Sequence, residues 1–134
     1  MKVNEIARAA GVSAETVRYY SRIGLLRPER DDHNDYRRFR ERDLCALRFI
    51  VQVRSLGFNL NDVRHILERA MRGQSVCPLV RQTLEKRHKE KQRELLELQG
   101  LLQRMERARS LWADMPDREP GDRQICHLVE SLDG

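Results

Sequence analysis

The chain has 134 residues, 40% hydrophobic and 35% charged, with four prolines and seven glycines; that size suits one small domain with an appendage. Net charge is +5, all of it in the first half: residues 1–72 hold 15 Lys/Arg against 10 Asp/Glu, and residues 73–134 hold 11 of each, so a polyanion partner is expected for the first half and another task for the second. No apolar run is long enough for a bilayer and no secretory h-region is evident, so a cytoplasmic protein without membrane contact is expected, its three cysteines being free thiols or metal ligands rather than a disulfide framework.

The absence of any sustained alternating β pattern argues for a mostly helical protein. A first helix runs from Val3 or Asn4 to about Ala10, with Ile6, Ala7 and Ala10 as its inner face. Gly11 supplies a turn, because a left-handed backbone costs little without a Cβ. Ser13 is a suitable N-cap for a second helix ending near Ser21. That helix carries Arg18, Tyr19 and Tyr20 within about one turn. A helix–turn–helix ending in cationic and hydroxyl-bearing aromatic side chains suits a phosphate backbone and a groove. Tyr19 and Phe39 are expected in the core, since aromatic side chains are routinely buried.

Residues 27–40 read as a polar hairpin, or wing: Pro28 and Asp31-Asp32-His33-Asn34-Asp35 are turn chemistry, and Tyr36-Arg37-Arg38-Phe39 is the returning strand. Residues 41–56 are amphipathic, with Leu44, Leu47, Phe49, Ile50 and Val53 at three- and four-residue steps; Cys45 is expected in the core of that helix. Gly57-Phe58-Asn59 interrupts the pattern, Asn59 can cap, and Val63, Ile66 and Leu67 mark a fourth helix to about Met71. A linker follows at residues 73–76.

From Pro78, a good residue for a first helical turn, a helix of about 35 residues and roughly 50 Å runs to Trp112. Leu84, His88, Lys91, Leu95, Leu98, Leu102, Met105, Arg109 and Trp112 follow a three-four alternation. So narrow an apolar seam on so long and polar a helix calls for a coiled-coil partner, most simply a second copy of the chain. Residues 115–122 form a loop, and Ile125-Cys126-His127-Leu128-Val129-Glu130 a short apolar helix. The expected organisation is a DNA-binding domain over residues 1–72, a linker and dimerisation helix over 73–113, and a C-terminal loop and short helix over 114–134. No Cys–His–acid spacing supports catalysis, so an enzyme is not expected; a thiol enzyme or metal carrier is the remote alternative.

Taken in order, Ile6-Ala7, Gly11-Val12, Thr16-Val17-Arg18-Tyr19-Tyr20, Gly24-Leu25-Leu26, Asn34-Asp35-Tyr36-Arg37 and Arg54-Ser55-Leu56-Gly57-Phe58 resemble the MerR family of bacterial transcription activators. The resemblance covers nearly the whole chain, with Asp35 standing where many members have glycine. It implies a winged helix–turn–helix homodimer joined by an antiparallel coiled coil. Such a dimer would bind a pseudo-palindromic operator in double-stranded promoter DNA, and would bend and untwist it on a signal so that RNA polymerase engages both promoter elements. It also implies DNA contacts from Thr16, Arg18 and Tyr20 on the recognition helix, Tyr36, Arg37 and Arg38 on the wing, and Arg54 on the third helix. Arg18 would reach the major groove, while Tyr20, Tyr36, Arg37 and Arg54 would hold phosphates.

Metal-sensing members of that family join a cysteine before the long helix of one subunit to ligands from the C-terminal loop of the other. Cys77 stands at the first position, where a helix N-terminus favours a thiolate; Cys126 matches the second loop cysteine, and His127 adds an imidazole. Trp112 occupies the place of the first loop cysteine. The resemblance therefore implies a divalent thiophilic ion (zinc, cadmium, mercury or lead) held by Cys77, Cys126 and His127. An organic or oxidative signal received near Trp112 is the alternative input. His65 and His88 are read as surface or seam residues, like His33.

Overall fold

In a computed structural model, residues 1–30 and 37–132 are described; the expected roles of His33, Asn34, Asp35 and Tyr36 fall outside them. Two compact units emerge, residues 1–88 and residues 89–134. The mostly helical reading holds. The elements are α1 (Val3–Ala10), α2 (Ala14–Arg22), β1 (Glu29–Arg30), β2 (Arg37–Arg38), α3 (Glu41–Ser55), α4 (Leu60–Met71), α5 (Cys77–Trp112) and α6 (His127–Glu130).

The joint between α1 and α2 is local chemistry. Gly11 takes φ 73° and its N–H, with that of Val12, turns back onto the Arg8 and Ala7 carbonyls, ending α1 as a left-handed cap does. Ser13 Oγ accepts from the Thr16 N–H at 3.1 Å and lies 2.8 Å from the Thr16 hydroxyl, which starts α2. At the far end of α2, Leu25 and Leu26 N–H groups both reach the Tyr20 carbonyl. Arg64 of α4 donates from Nη2 to the Ile23 carbonyl at 2.8 Å, pinning the end of the recognition helix to α4.

β1 and β2 pair antiparallel, Glu29 opposite Arg38 and Arg30 opposite Arg37. Arg40, at the base of this wing, donates to Glu29 Oε1 and to the Arg27 carbonyl, while its own N–H gives Asp43 Oδ2 a 2.7 Å bond. α4 starts with a reciprocal box: Asn59 Oδ1 accepts from Asp62 N–H and Asp62 Oδ2 from Asn59 N–H.

One core serves residues 1–88. Ile6, Val17, Leu26, Phe39, Leu47, Ile50, Val53, Phe58, Val63 and Ile66 are buried together, and Leu79 and Val80 of α5 pack against them. Phe39 is core as expected. Tyr19 is not, being 39% exposed, because its place on α2 lies on the outer face away from Val17. Cys45 is likewise exposed, since Leu44 and Leu47 take the buried face of α3.

In residues 89–134 the balance reverses. Leu95, Leu96, Leu98, Leu102, Met105 and Leu111 on α5 are exposed, as are Ile125 and Val129; Ala108 and His127 are buried. Among the described residues no helix is long and apolar enough to cross a membrane.

Candidate nucleic-acid interface and effector residues

The first unit presents an open cleft lined by Ser13, Glu15, Thr16, Arg18, Tyr19, Tyr20, Arg22, Arg54 and Leu60. Four of the expected DNA contacts, Thr16, Arg18, Tyr20 and Arg54, thus share one surface, although Arg54 lies on α3 and the others on α2. Local hydrogen bonds place two of them, Thr16 and Arg54. The Ser13–Thr16 pair fixes the first turn of α2, so the Thr16 hydroxyl is partly engaged in capping. Arg54 donates from Nη1 to the Phe58 carbonyl at 2.8 Å, tying the last turn of α3 to the loop that leads into α4. Arg37 donates from Nη1 to the Arg18 carbonyl at 3.4 Å, tying β2 to the recognition helix. Arg38 is exposed on β2. Tyr36 lies outside the described residues.

Four cleft residues escaped the sequence reading as contacts: Glu15, Tyr19, Arg22 and Leu60. The Arg22 guanidinium sits over the Tyr19 ring, 5.4 Å from its centroid, a cation–π contact that holds the arginine along the cleft wall. The signal was available in the spacing, because residues 15, 18–19 and 22 follow the three- and four-residue step of one helix face. With Arg18, Arg22 and Arg54 against Glu15 alone, the cleft is net positive, which suits a polyanion.

The expected metal ligands divide between the units. In the first, Cys77 is exposed and is the opening residue of α5, whose first helical bond runs from the Val80 N–H to the Val76 carbonyl. In the second, Cys126 is half-buried and stands immediately before α6. His127, at 8% exposure, places Nε2 2.7 Å from the Pro116 carbonyl. A carbonyl oxygen only accepts, so the proton sits on Nε2 and Nδ1 is left as the nitrogen able to ligate. A backbone carbonyl fixing the tautomer in this way is the usual support of a metal-binding imidazole. Trp112 buries its Nε1 without a hydrogen-bond acceptor among the described residues; an indole N–H has no lone pair to offer a metal, so the position cannot replace the cysteine it displaces. Among the described residues of one chain, no three His, Cys, Asp or Glu side chains gather as a metal site. The donor chemistry, two thiols and an imidazole with an open Nδ1, fits a thiophilic ion.

The model of the MerR HTH family regulatory protein matches residues 1–70, and that of the MerR, DNA binding region matches residues 44–108. The mercuric resistance operon regulatory protein of Bacillus cereus is 31% identical over 135 aligned positions, covering 98% of this chain and 96% of its own. Among solved structures, the transcription regulator PbrR691 from Ralstonia metallidurans CH34, in complex with lead(II), shares the fold with a TM-score of 0.75 at 23% identity, covering 99% of each chain. HiNmlR, a MerR family regulator lacking the sensor domain and bound to promoter DNA, is 27% identical, with a TM-score of 0.55 over 77% of this chain and 78% of its own. The chain belongs to the MerR family of helix–turn–helix transcription regulators, which are not enzymes.

Proposed function

We propose that this chain is a dimeric regulator that holds a dyad-symmetric promoter operator through Thr16, Arg18, Tyr20, Tyr36, Arg37, Arg38 and Arg54 and distorts it when a divalent thiophilic ion binds. The ion would be held by Cys77 of one subunit with Cys126 and His127 of the other. Zinc, cadmium, mercury and lead all suit the set; two thiolates suffice for mercury, and the imidazole supplies the third ligand that zinc or cadmium needs. The observation that carries the reading is His127, buried beside Cys126 and fixed through Nε2 on Pro116. The full-length likeness to a mercuric resistance regulator supports it.

The energetics are adequate. Bending a promoter-length site costs of order 1–6 kcal/mol, and moving a two-state equilibrium from one percent to ninety-nine percent takes about 5.5 kcal/mol of differential binding. Two thiolates and an imidazole closing around one ion across two chains can supply that difference, since the set is complete only when both chains are correctly placed. The exposed leucines of residues 95–111 call for a second copy, and the activated dimer would present the distorted promoter to RNA polymerase. Cytoplasmic placement follows from that task and from the free thiols.

Metal titration of the anaerobically purified protein on an operator fragment tests the proposal. Cys77→Ser and Cys126→Ser should each abolish metal-dependent distortion while operator affinity stays in place. Variants that both remain inducible by all four metals would sink the metal reading. The buried Trp112 Nε1 without an acceptor among the described residues favours a second reading, an organic effector bearing an oxygen acceptor; Trp112→Phe would then lose the response with both cysteines intact.

A further inference from the structure

The first turns of α5 lie on the DNA-reading unit along a single stripe. Leu79 and Val80 pack against the core. Thr83 is buried, its hydroxyl turned back to the Leu79 carbonyl at 2.8 Å. Arg87 comes last in the stripe, and it is joined to Asp62 of α4 by a planar fork: Nε to Oδ2 at 2.8 Å and Nη2 to Oδ1 at 2.7 Å. The two side chains are only 16% and 11% exposed. Asp62 is itself immobilised, because the same carboxylate closes the Asn59 end of α4. A bidentate arginine–carboxylate pair fixes direction as well as distance, whereas apolar contacts such as those of Leu79 and Val80 tolerate sliding. Past Arg87, α5 continues as unbroken helix to Trp112.

We propose that Arg87 is a positioning residue which, through Asp62, locks the first turns of α5 onto α4 within the DNA-reading unit, and that promoter distortion requires this docking. The inference rests on the dimeric, DNA-distorting reading given above. Arg87 lines no part of the cleft of Thr16, Arg18, Tyr20 and Arg54, so its role is separable from affinity.

The test uses the full chain with Arg87→Gln and Arg87→Lys. Three quantities are read: operator Kd by fluorescence anisotropy at fixed salt, chemical-nuclease hypersensitivity at the operator centre with and without zinc or mercury, and the intersubunit distance between spin labels on Ser55→Cys. The label measurement is made without metal, in a background where Cys45, Cys77 and Cys126 are serine. Arg87→Gln is expected to hold Kd within about threefold, to lower metal-dependent hypersensitivity at least about tenfold, and to widen the distance distribution about twofold. Arg87→Lys, which keeps a charge opposite Asp62 but not the fork, should fall between. Unchanged hypersensitivity and width overturn the proposal. So does a loss of hypersensitivity that merely tracks a loss of Kd, which would make Arg87 a residue of general stability. Should Arg87→Gln fail to fold, the Arg87→Lys distance width decides. Should no metal distort the promoter with the native chain, the functional reading falls while the metal-free distance comparison still decides the role of Arg87.

Discussion

Residues 1–88 and residues 89–134 solve the burial problem in opposite ways. The first unit closes its apolar side chains on themselves: Ile6, Val17, Leu47, Ile50, Phe58 and Val63 are sealed from solvent. The second leaves Leu95, Leu96, Leu98, Leu102, Met105 and Leu111 in solvent along one helix and buries little besides Ala108 and His127. A unit that closes alone carries the DNA-reading surface. The unit that leaves its leucines exposed also carries two of the three candidate metal ligands, Cys126 and His127.

The largest effects that break this contrast lie in the closed unit. Phe58→Ala should cost about 3–5 kcal/mol, the transfer loss of a buried phenyl ring plus the cavity left behind. Against a typical domain stability of about 5–15 kcal/mol, urea melts should show the unit marginal and operator binding lost with it. A cost below about 1 kcal/mol would mean the site collapses around the gap and the core is looser than its burial implies.

Leu98→Lys combined with Leu102→Lys sharpens the other side. Both leucines are exposed in a single chain, so the charged pair should leave the urea melt of the first unit unmoved. If the seam is the dimer interface, each change forfeits about 1.5–3 kcal/mol of apolar burial, and the dimer dissociation constant should rise at least about a hundredfold. Sedimentation equilibrium reads that number; an unchanged value places the interface elsewhere.

Within the cleft the expected effects are smaller and differ in kind. Arg18→Ala should lose about 1–3 kcal/mol of operator affinity and relax sequence preference where Arg18 meets a base edge. Arg54→Ala should weaken binding to all sequences alike and lower the salt dependence by about one phosphate contact. It should also cost about 0.5–1.5 kcal/mol of stability, because the bond to the Phe58 carbonyl goes with it. Binding curves over several salt concentrations, on operator and scrambled DNA, separate the two patterns.

What could be read from the chain follows the same division. The helices were legible because their signals are local: Gly11 and Ser13 around the first turn, Asn59 at the start of α4, and three-four apolar spacing in α3 and α5. Tyr19 and Cys45 were misplaced because both were assigned by residue type, and residue type alone does not say which side of a helix faces inward. The convergence of Arg54 with α2 came from the family resemblance and not from spacing, since it depends on how α3 packs. The Arg87–Asp62 pair spans 25 residues and carries no sequence mark beyond two opposite charges. The bond from His127 to Pro116 was equally silent, being made to a backbone carbonyl that every residue possesses.

The subtlest expected effect concerns Asp62 and acid. Hydrogen bonds from Arg87 hold its carboxyl below the ordinary aspartate value of 3.8, helped by the Asn59 N–H and the charges of Arg87 and Lys86, and opposed by burial. An unfolded chain regains an ordinary pKa of about 3.9, so between the two values it binds more protons than the folded chain. Stability therefore rises with pH through that window. The share contributed by Asp62 is fully present above the ordinary carboxylate range and is lost as pH falls through the lowered folded value. Asp62→Asn keeps an acceptor for the Asn59 cap but removes the charge opposite Arg87. Its thermal midpoint should thus lie below the native one at pH 7, with the gap narrowing as pH drops below about 4. Thermal melts from pH 7 to pH 2.5 measure that convergence. A gap that stays constant over the range would show that Asp62 acts through packing and capping, and that the fork with Arg87 contributes no charge-dependent stability.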